Sequence, residues 1–150
     1  MAAPAYVAVV GPGDASPAEV EAAELIGRGI AERGDVLVCG GRGGVMAAAC
    51  RGATANGGIT IGILPGTDRS ASNEWLTVAI PTGLGELRNG LVVRAADVVV
   101  AVGGAYGTLS EVALALKTGV PVIGLRTWDI EGIQTVDSPE SAIRAIERHT

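Results

Sequence analysis

DVVVAVGGAYGTLSEVALAL (residues 97–116) joins three patterns: an apolar run rich in valine, a glycine-rich turn, and a segment with the composition of a helix. The run shows no alternation of polar and apolar residues, which is typical of a parallel strand that is covered on both faces. A strand that leads through a short turn into a helix is half of a βαβ unit. This stretch therefore predicts an α/β fold.

Similar units recur along the chain. The predicted strands lie at 6–11, 35–40, 58–64, 76–80, 97–104 and 120–125, and the predicted helices at 16–34, 43–58, 84–96, 108–119 and 138–149. Two of these helices begin with a Ser-Pro pair, at Ser16 and at Ser138, which is a typical helix start. We predict one doubly wound α/β domain over residues 1–150, with a mainly parallel sheet and helices on both faces.

Composition and charge narrow the class of protein. The 150 residues are 48% hydrophobic and include no Phe, so the core of the single domain must be aliphatic. A net charge of −5 argues against a nucleic-acid partner. Arg94 and Asp97 interrupt the longest apolar run, which predicts no membrane partner. Cys39 and Cys50 lack a CxxC spacing and the chain does not open like a signal peptide, so we expect a cytoplasmic location.

Two glycine-rich turns follow predicted strands, and we expect both at the carboxyl edge of the sheet. Glycines before a helix let a ligand approach the unpaired N–H groups and the positive end of the helix dipole, so a phosphate is the natural occupant. The predicted binding residues of the first turn are Gly40, Gly41, Arg42, Gly43, Gly44, Val45 and Met46. Those of the second are Gly103, Gly104, Ala105, Tyr106, Gly107 and Thr108. The segment PTGLGELRN (81–89) adds Thr82, Gly83 and Asn89.

The sequence lacks the residues that several common cofactor-binding and catalytic sites require. The first βα turn, GPGDASP (11–17), does not have the glycine spacing of a dinucleotide-binding fingerprint. Lys117 is the single lysine and lies far along the chain from the glycine turns, so we expect neither a P-loop nor a pyridoxal phosphate site. His149 is the single histidine and is next to last, which leaves no parts for a Ser-His-Asp triad or a histidine metal site. We predict no metal.

Carboxylates, arginines and backbone amides remain as functional groups, and each candidate has a second interpretation. Glu111 could be catalytic, or it could close a capping box with Thr108, because Thr-Leu-Ser-Glu has that spacing. Arg88 could bind an anion, or it could be solvated on its helix or paired with a nearby acid. Arg42 could face the ligand or be an exposed turn residue.

The motifs CGGRGGVMAAACRGA (39–53), ILPG (63–66), PTGLGELRN (81–89) and VGGAYGTLSEVALAL (102–116) together resemble the LOG and molybdenum cofactor carrier proteins. This Rossmann-like superfamily is often misnamed lysine decarboxylase. The resemblance covers residues 6–125 and implies a single doubly wound Rossmann-like domain with the strand order 3-2-1-4-5-6. LOG proteins hydrolyse the N-glycosidic bond of cytokinin nucleoside 5′-monophosphates, and the resemblance places the phosphate turn at Gly103, Gly104, Gly107 and Thr108. It implies Arg88 and Glu111 as the catalytic residues, no required cofactor, and a homodimer or larger homo-oligomer.

Three departures from the LOG pattern favour the carrier branch. Val102 replaces a proline, Ala105 is inserted, and Arg88-Asn89 replaces an Arg-Lys pair. Carriers of that branch bind the molybdenum cofactor, a pterin that bears a phosphate. We therefore predict a protein that binds a phosphorylated nucleotide-like molecule. Hydrolysis of nucleoside monophosphates is the main hypothesis, and a non-catalytic carrier of nucleotide or molybdenum cofactor is the alternative. A third hypothesis is that the turns hold a structural anion and that the protein acts through partners.

Overall fold

The structure is a computed structural model that describes residues 3–150; Met1 and Ala2 of the predicted domain lie outside this range. The strands are β1 (Tyr6–Val10), β2 (Val36–Cys39), β3 (Ile59–Leu64), β4 (Val78–Pro81), β5 (Val98–Val102), β6 (Val122–Leu125) and β7 (Gln134–Val136). The helices are α1 (Pro17–Glu32), α2 (Val45–Thr54), α3 (Asn89–Ala95), α4 (Tyr106–Thr118) and α5 (Pro139–His149). The predicted α/β fold is confirmed.

All seven strands form one parallel sheet in the order β4-β3-β2-β1-β5-β6-β7. The predicted order was wrong for β4, which pairs with β3 at the edge, while β5 takes the place beside β1. The physical reason is burial. Every residue of β5 is buried, as a central strand requires, whereas β4 is partly exposed and ends in Pro81, which lacks a backbone donor.

Three further boundaries differ from the prediction. The short strand β7 extends the sheet beyond β6 and was not predicted. The third predicted helix divides into a 3₁₀ helix, Gly85–Arg88, and α3. Helix α4 begins at Tyr106, two residues before the predicted start at Thr108. Helix α1 starts as predicted, with the Ser16 hydroxyl accepting a hydrogen bond from Glu19 N.

Helices cover both faces of the sheet, as predicted. One core packs the strand residues of one sheet face, such as Val9 and Val100, against α1, α2 and α5. The other packs residues such as Val10 and Ala101 against α3 and α4. No helix among residues 3–150 is long and apolar enough to cross a membrane.

Helices α1 and α2 approach each other at two glycines. A Cβ atom at Gly27 would lie 1.9 Å from Ala49 O, and one at Gly52 would lie 2.0 Å from Glu24 O. The two backbones are therefore in direct contact, with no space for a side chain between them.

Candidate functional site

A cleft of about 440 Å³ opens at the carboxyl edge of the sheet, where β1 and β5 lie side by side. The chain runs outward from β1 to β2, β3 and β4, and then returns to place β5 on the other side of β1. Open α/β sheets bind ligands at such a reversal because the loops after the two central strands diverge there. The cleft is lined by Gly11, Pro12, Gly13, Arg42, Gly43, Met46, Arg88, Asn89, Ala105, Gly107, Thr108 and Glu111.

The amino terminus of α2 forms one wall of this cleft. Gly44 precedes the helix with φ +63°, and no side chain caps the helix among the described residues. A Cβ atom at Gly44 would lie 2.3 Å from Pro12 O and 2.5 Å from Gly13 O, so this turn packs directly on the turn after β1. Glycine is required here both by its backbone conformation and by this close approach. Val45 N donates to Pro12 O over 3.1 Å, and the next two amides of the first helical turn, those of Met46 and Ala47, are available to an anion.

The amino terminus of α4 forms the opposite wall. Ala105 precedes the helix in an extended conformation, and no side-chain cap is present among the described residues. Thr108 therefore lies inside the first turn and is not the cap, which removes the capping-box interpretation of Glu111. The Thr108 residue is 2% exposed, and its Oγ1 has no hydrogen-bond partner within residues 3–150. A buried hydroxyl without a partner at a helix start is an available donor for a ligand.

Arg88 connects the two glycine turns. Its Nη2 donates to Gly40 O over 3.4 Å, and its Nη1 donates to Asn89 Oδ1. Asn89 Nδ2 donates to Ser110 Oγ over 2.9 Å, and this hydroxyl donates to Gly107 O over 2.8 Å. Burial lowers the pKa of Arg88, although the Glu111 carboxylate acts in the opposite direction. The guanidinium is thus held in place at the cleft, and its buried Nε has no partner in the described structure.

Glu111 lies one turn further along α4 and is 7% exposed. Burial raises the pKa of Glu111 to about 8, although the Arg88 guanidinium lowers it. No ion pair joins the two side chains within 4.0 Å in the described structure. At pH 7 the carboxyl group is therefore mostly protonated, and it can donate a hydrogen bond as well as accept one.

This raised pKa predicts a pH-dependent contribution to stability. In the folded protein Glu111 binds its proton up to pH about 8, whereas an ordinary glutamate loses it near 4.5. The contribution is full below pH 4.5 and is lost as the pH rises toward 8, because the folded state binds more protons in this window. Glu111→Gln should lack this decline. The free energy of unfolding of the variant, relative to that of the wild type, should therefore increase as the pH rises. Urea denaturation between pH 4.5 and 8 measures the difference.

Glu131→Gln is the control for this experiment, because Glu131 is exposed and remote from the cleft. It should follow the wild type at every pH. A constant offset between Glu111→Gln and the wild type across the window would show that Glu111 has an ordinary pKa.

A second cleft, of about 600 Å³, shares Arg88, Asn89 and Gly107 with the first and extends between the 3₁₀ helix, α3 and α4. Its lining is more apolar and includes Leu87, Tyr106 and Leu114. The Tyr106 ring stacks on Trp128 with centroids 6.3 Å apart, and Trp128 Nε1 donates to Ala105 O over 3.1 Å. The aromatic pair therefore fixes the second glycine turn from outside and presents Tyr106, 84% exposed, beside the cleft.

The structure brings part of the predicted set together in the first cleft. The predicted residues that line it are Arg42, Gly43, Met46, Arg88, Asn89, Ala105, Gly107, Thr108 and Glu111. Tyr106 lines the second cleft. The other predicted glycines do not line a cleft but allow close packing around the turns. Gly40 lies against the Arg88 guanidinium, Gly103 against Glu19, and Gly104 against Trp128. Gly41 and Val45 are buried, and Gly44 packs on the turn after β1.

Thr82 and Gly83 do not line either cleft. Thr82 Oγ1 donates to Leu64 O over 2.7 Å, and Gly83 N donates to Gly66 O over 2.8 Å. They hold the end of β4 to the end of β3. Edge placement of β4 explains this difference, because its carboxyl end lies three strands away from β1.

Sequence reasoning missed the turn after β1. Gly11, Pro12 and Gly13 line the cleft, although their spacing excluded only a dinucleotide fingerprint. Only the position of these residues in the fold indicates a role in the cleft. They follow β1, which lies between the two strands that precede the glycine turns. Asn73 and Trp128, which brace those two turns, carry no such signal, because each acts from a loop distant in sequence.

The parallel sheet, its reversal beside β1 and the two helix starts define a Rossmann-like α/β protein with an open cleft at the reversal. The chain belongs to the SLOG cluster4 family, whose model matches residues 4–149. The predicted relationship to the LOG superfamily, on the side of its molybdenum cofactor carriers, is confirmed by the solved structures of similar proteins.

The molybdenum cofactor binding protein of Rippkaea orientalis is 39% identical and superimposes with a TM-score of 0.93, over 99% of this chain and 98% of that one. The molybdenum cofactor carrier protein of Chlamydomonas reinhardtii is 35% identical, with a TM-score of 0.90 over 98% of each chain. An uncharacterised protein of Archaeoglobus fulgidus is 39% identical over 138 residues, which is 91% of each chain.

Proposed function

We propose that this protein is a non-catalytic carrier of the molybdenum cofactor, with the phosphate of the cofactor held in the cleft at the β1–β5 reversal. The observation that carries the proposal is the unpartnered, buried Thr108 hydroxyl between two uncapped helix starts. Two helix dipoles and free amides favour an anion, and a buried hydroxyl without a partner favours a ligand that supplies one. Similarity to cofactor-binding proteins over nearly the whole chain supports the same choice.

Arg88 and Arg42 supply positive charge beside these amides, in a protein whose net charge is −5. The attraction for an anion is therefore local to the cleft. Arg88 is the fixed group of the two, because hydrogen bonds to Gly40 and Asn89 hold it, whereas Arg42 is exposed. A planar guanidinium with a free donor suits a phosphate oxygen.

The pterin ring would lie in the second, more apolar cleft. That cleft is continuous with the first through Arg88, Asn89 and Gly107. Tyr106 offers an exposed aromatic face at its edge. Flat heterocycles stack favourably on such rings. Protonated Glu111 can donate a hydrogen bond to the ligand on the phosphate side.

Hydrolysis of nucleoside 5′-monophosphates remains the alternative. Arg88 and Glu111 line one cleft, as that hypothesis expects. At its raised pKa, Glu111 would serve as a general acid toward the leaving base and not as the ionised carboxylate that stabilises the oxocarbenium character. The catalytic roles of Arg88 and Glu111 therefore remain predictions.

Anaerobic incubation with molybdenum cofactor released from a molybdoenzyme tests the proposal. After gel filtration, the pterin is quantified as its fluorescent oxidation product and the molybdenum by mass spectrometry. We expect both to elute with the protein in equal amounts. In parallel, AMP and N6-isopentenyl-AMP are incubated with the protein, and free base is followed by chromatography. Absence of bound pterin would refute the carrier function, and release of free base would establish the hydrolase.

Self-association is a second part of this proposal. Val92, Val93, Val112 and Ala115 cover the sheet, but Leu87, Leu91 and Leu114 remain exposed near the second cleft. We propose that these leucines contribute to a homodimer, and sedimentation velocity tests it. A cytoplasmic location likewise remains a prediction.

A further inference from the structure

The segment between β3 and β4 contains no helix, and it is fixed to the first glycine turn by one residue. Asn73 N donates to Gly41 O over 2.9 Å, and Asn73 Nδ2 donates to Arg42 O over 2.9 Å. Asn73 Oδ1 accepts from Trp75 N over 2.8 Å, which holds the amide group in place. Thr60 Oγ1 donates to Trp75 O over 2.7 Å and so ties this segment to β3.

These bonds determine which way the peptide groups of the turn face. In a trans peptide, the carbonyl oxygen and the N–H of the next residue point to opposite sides. Asn73 binds the carbonyl oxygens of Gly41 and Arg42, so the N–H groups of Arg42 and Gly43 point away from Asn73. These two amides have no partner within residues 3–150, and both residues line the cleft. Consecutive amides with this arrangement form an anion-binding concavity.

The preceding peptide is fixed by different groups. Gly40 O accepts from Arg88 Nη2, and Gly41 N donates to Cys39 Sγ over 3.3 Å. Hydrogen bonding with Cys50 and burial raise the pKa of the Cys39 thiol, so this sulfur is neutral. The Gly41–Arg42 peptide, which bears the Arg42 amide, depends on the backbone N–H of Asn73. The Arg42–Gly43 peptide, which bears the Gly43 amide, depends on the Asn73 side chain.

We propose that Asn73 is a positioning residue that aims the Arg42 and Gly43 amides at the anionic group of the ligand. It does so without lining the cleft itself. The inference rests on the proposed function in so far as the same cleft takes the phosphate of the cofactor, but the amides would bind any phosphate of suitable size.

The test uses the purified full-length chain and inorganic phosphate as the probe. Thermal unfolding is followed across a phosphate titration, with sodium chloride at matched ionic strength as the reference, and the dissociation constant is obtained from the phosphate-dependent rise in Tm. Asn73→Ala removes the side-chain bonds to Arg42 O and from Trp75 N, and it keeps the backbone bond to Gly41 O. Asn73→Ser keeps a short oxygen that can still accept from residue 75 but cannot reach Arg42 O, and it adds no charge. Ser72→Ala is the control, because the Ser72 hydroxyl donates to Arg69 O in the same loop.

We expect the phosphate dissociation constant of both Asn73 variants to rise by about tenfold or more, which is the loss of a charge-assisted hydrogen bond. Ser72→Ala should match the wild type. A lower Tm without phosphate, combined with an unchanged dissociation constant, would show that Asn73 only stabilises the loop and would overturn the proposal. The proposal would also be overturned if phosphate did not raise the Tm of the wild-type protein above the value measured in sodium chloride. If the protein does not bind the cofactor but the Asn73 variants bind phosphate more weakly, the carrier function is refuted and the role of Asn73 is supported.

Discussion

Arg88→Ala is expected to lower the affinity for molybdenum cofactor by about 10- to 100-fold, which corresponds to a hydrogen bond from a charged group. Arg88 is the fixed cation of the cleft, because Gly40 O and Asn89 Oδ1 hold its guanidinium. Its loss removes both the charge and the link between the two glycine turns. The gel-filtration assay of bound pterin, repeated over a range of cofactor concentrations, measures the change.

Two variants make this result specific. Arg88→Lys keeps the charge but lacks the planar fork, so we expect an intermediate affinity. Arg94→Ala removes an exposed arginine of α3, the helix that follows Arg88, outside both clefts, and should bind like the wild type. Inorganic phosphate should show the same ranking by Tm. Wild-type affinity in Arg88→Ala, with the protein folded, would mean that Arg88 has no role in binding the phosphate.

Gly44→Ala is expected to destabilise the fold by about 2–4 kcal/mol, the combined effect of backbone strain and overpacking. Gly44 has φ +63°, and a Cβ atom there would lie 2.3 Å from Pro12 O. This neighbour is backbone and cannot move aside as a flexible side chain can. A Tm lower by roughly 5–15 °C is expected for a domain of this size. Phosphate should also stabilise the variant less, because the turns after β1 and β2 must separate.

Gly43→Ala is the matched control for this prediction. Gly43 is the adjacent residue, its φ is not positive, and a Cβ atom there would meet no atom within 4 Å. We expect its Tm to stay within about 2 °C of the wild type, as for an ordinary surface substitution. Equal losses in the two variants would point to a general need for glycine in the turn and would contradict the contact with Pro12.

Much of the fold could be predicted because its determinants are local. The Ser16-Pro17 start of α1 and the apolar run of β5 need no knowledge of distant residues. The position of β4 was wrong because strand order is a tertiary property. Within that strand only Pro81 suits an edge, because the exposed residues Val78 and Ile80 are apolar and resemble those of a central strand.

The candidate site was predictable to the extent that it follows the glycine turns. Arg42, Gly107 and Thr108 line the cleft because turns after neighbouring parallel strands meet at one edge. Thr82 and Gly83 were misplaced together with β4. The protonated state of Glu111 was not predictable, since it arises from burial beneath groups from several elements. Spacing alone could not distinguish a capping Glu111 from a buried one.

The reversal of the sheet beside β1 has a consequence for folding. The cleft is built from the segments that follow β1, β2 and β5, together with Arg88 and Asn89, which follow β4. Its walls therefore come from positions as far apart as Gly11 and Glu111. The cleft exists only after β1 has paired with β5, which closes the chain between residues 10 and 98. Pairing over so long a separation in sequence is a slow step. A partly folded chain that lacks this pairing has no cleft to offer. A ligand bound there therefore stabilises the complete molecule against global unfolding, and only the native protein can take it up.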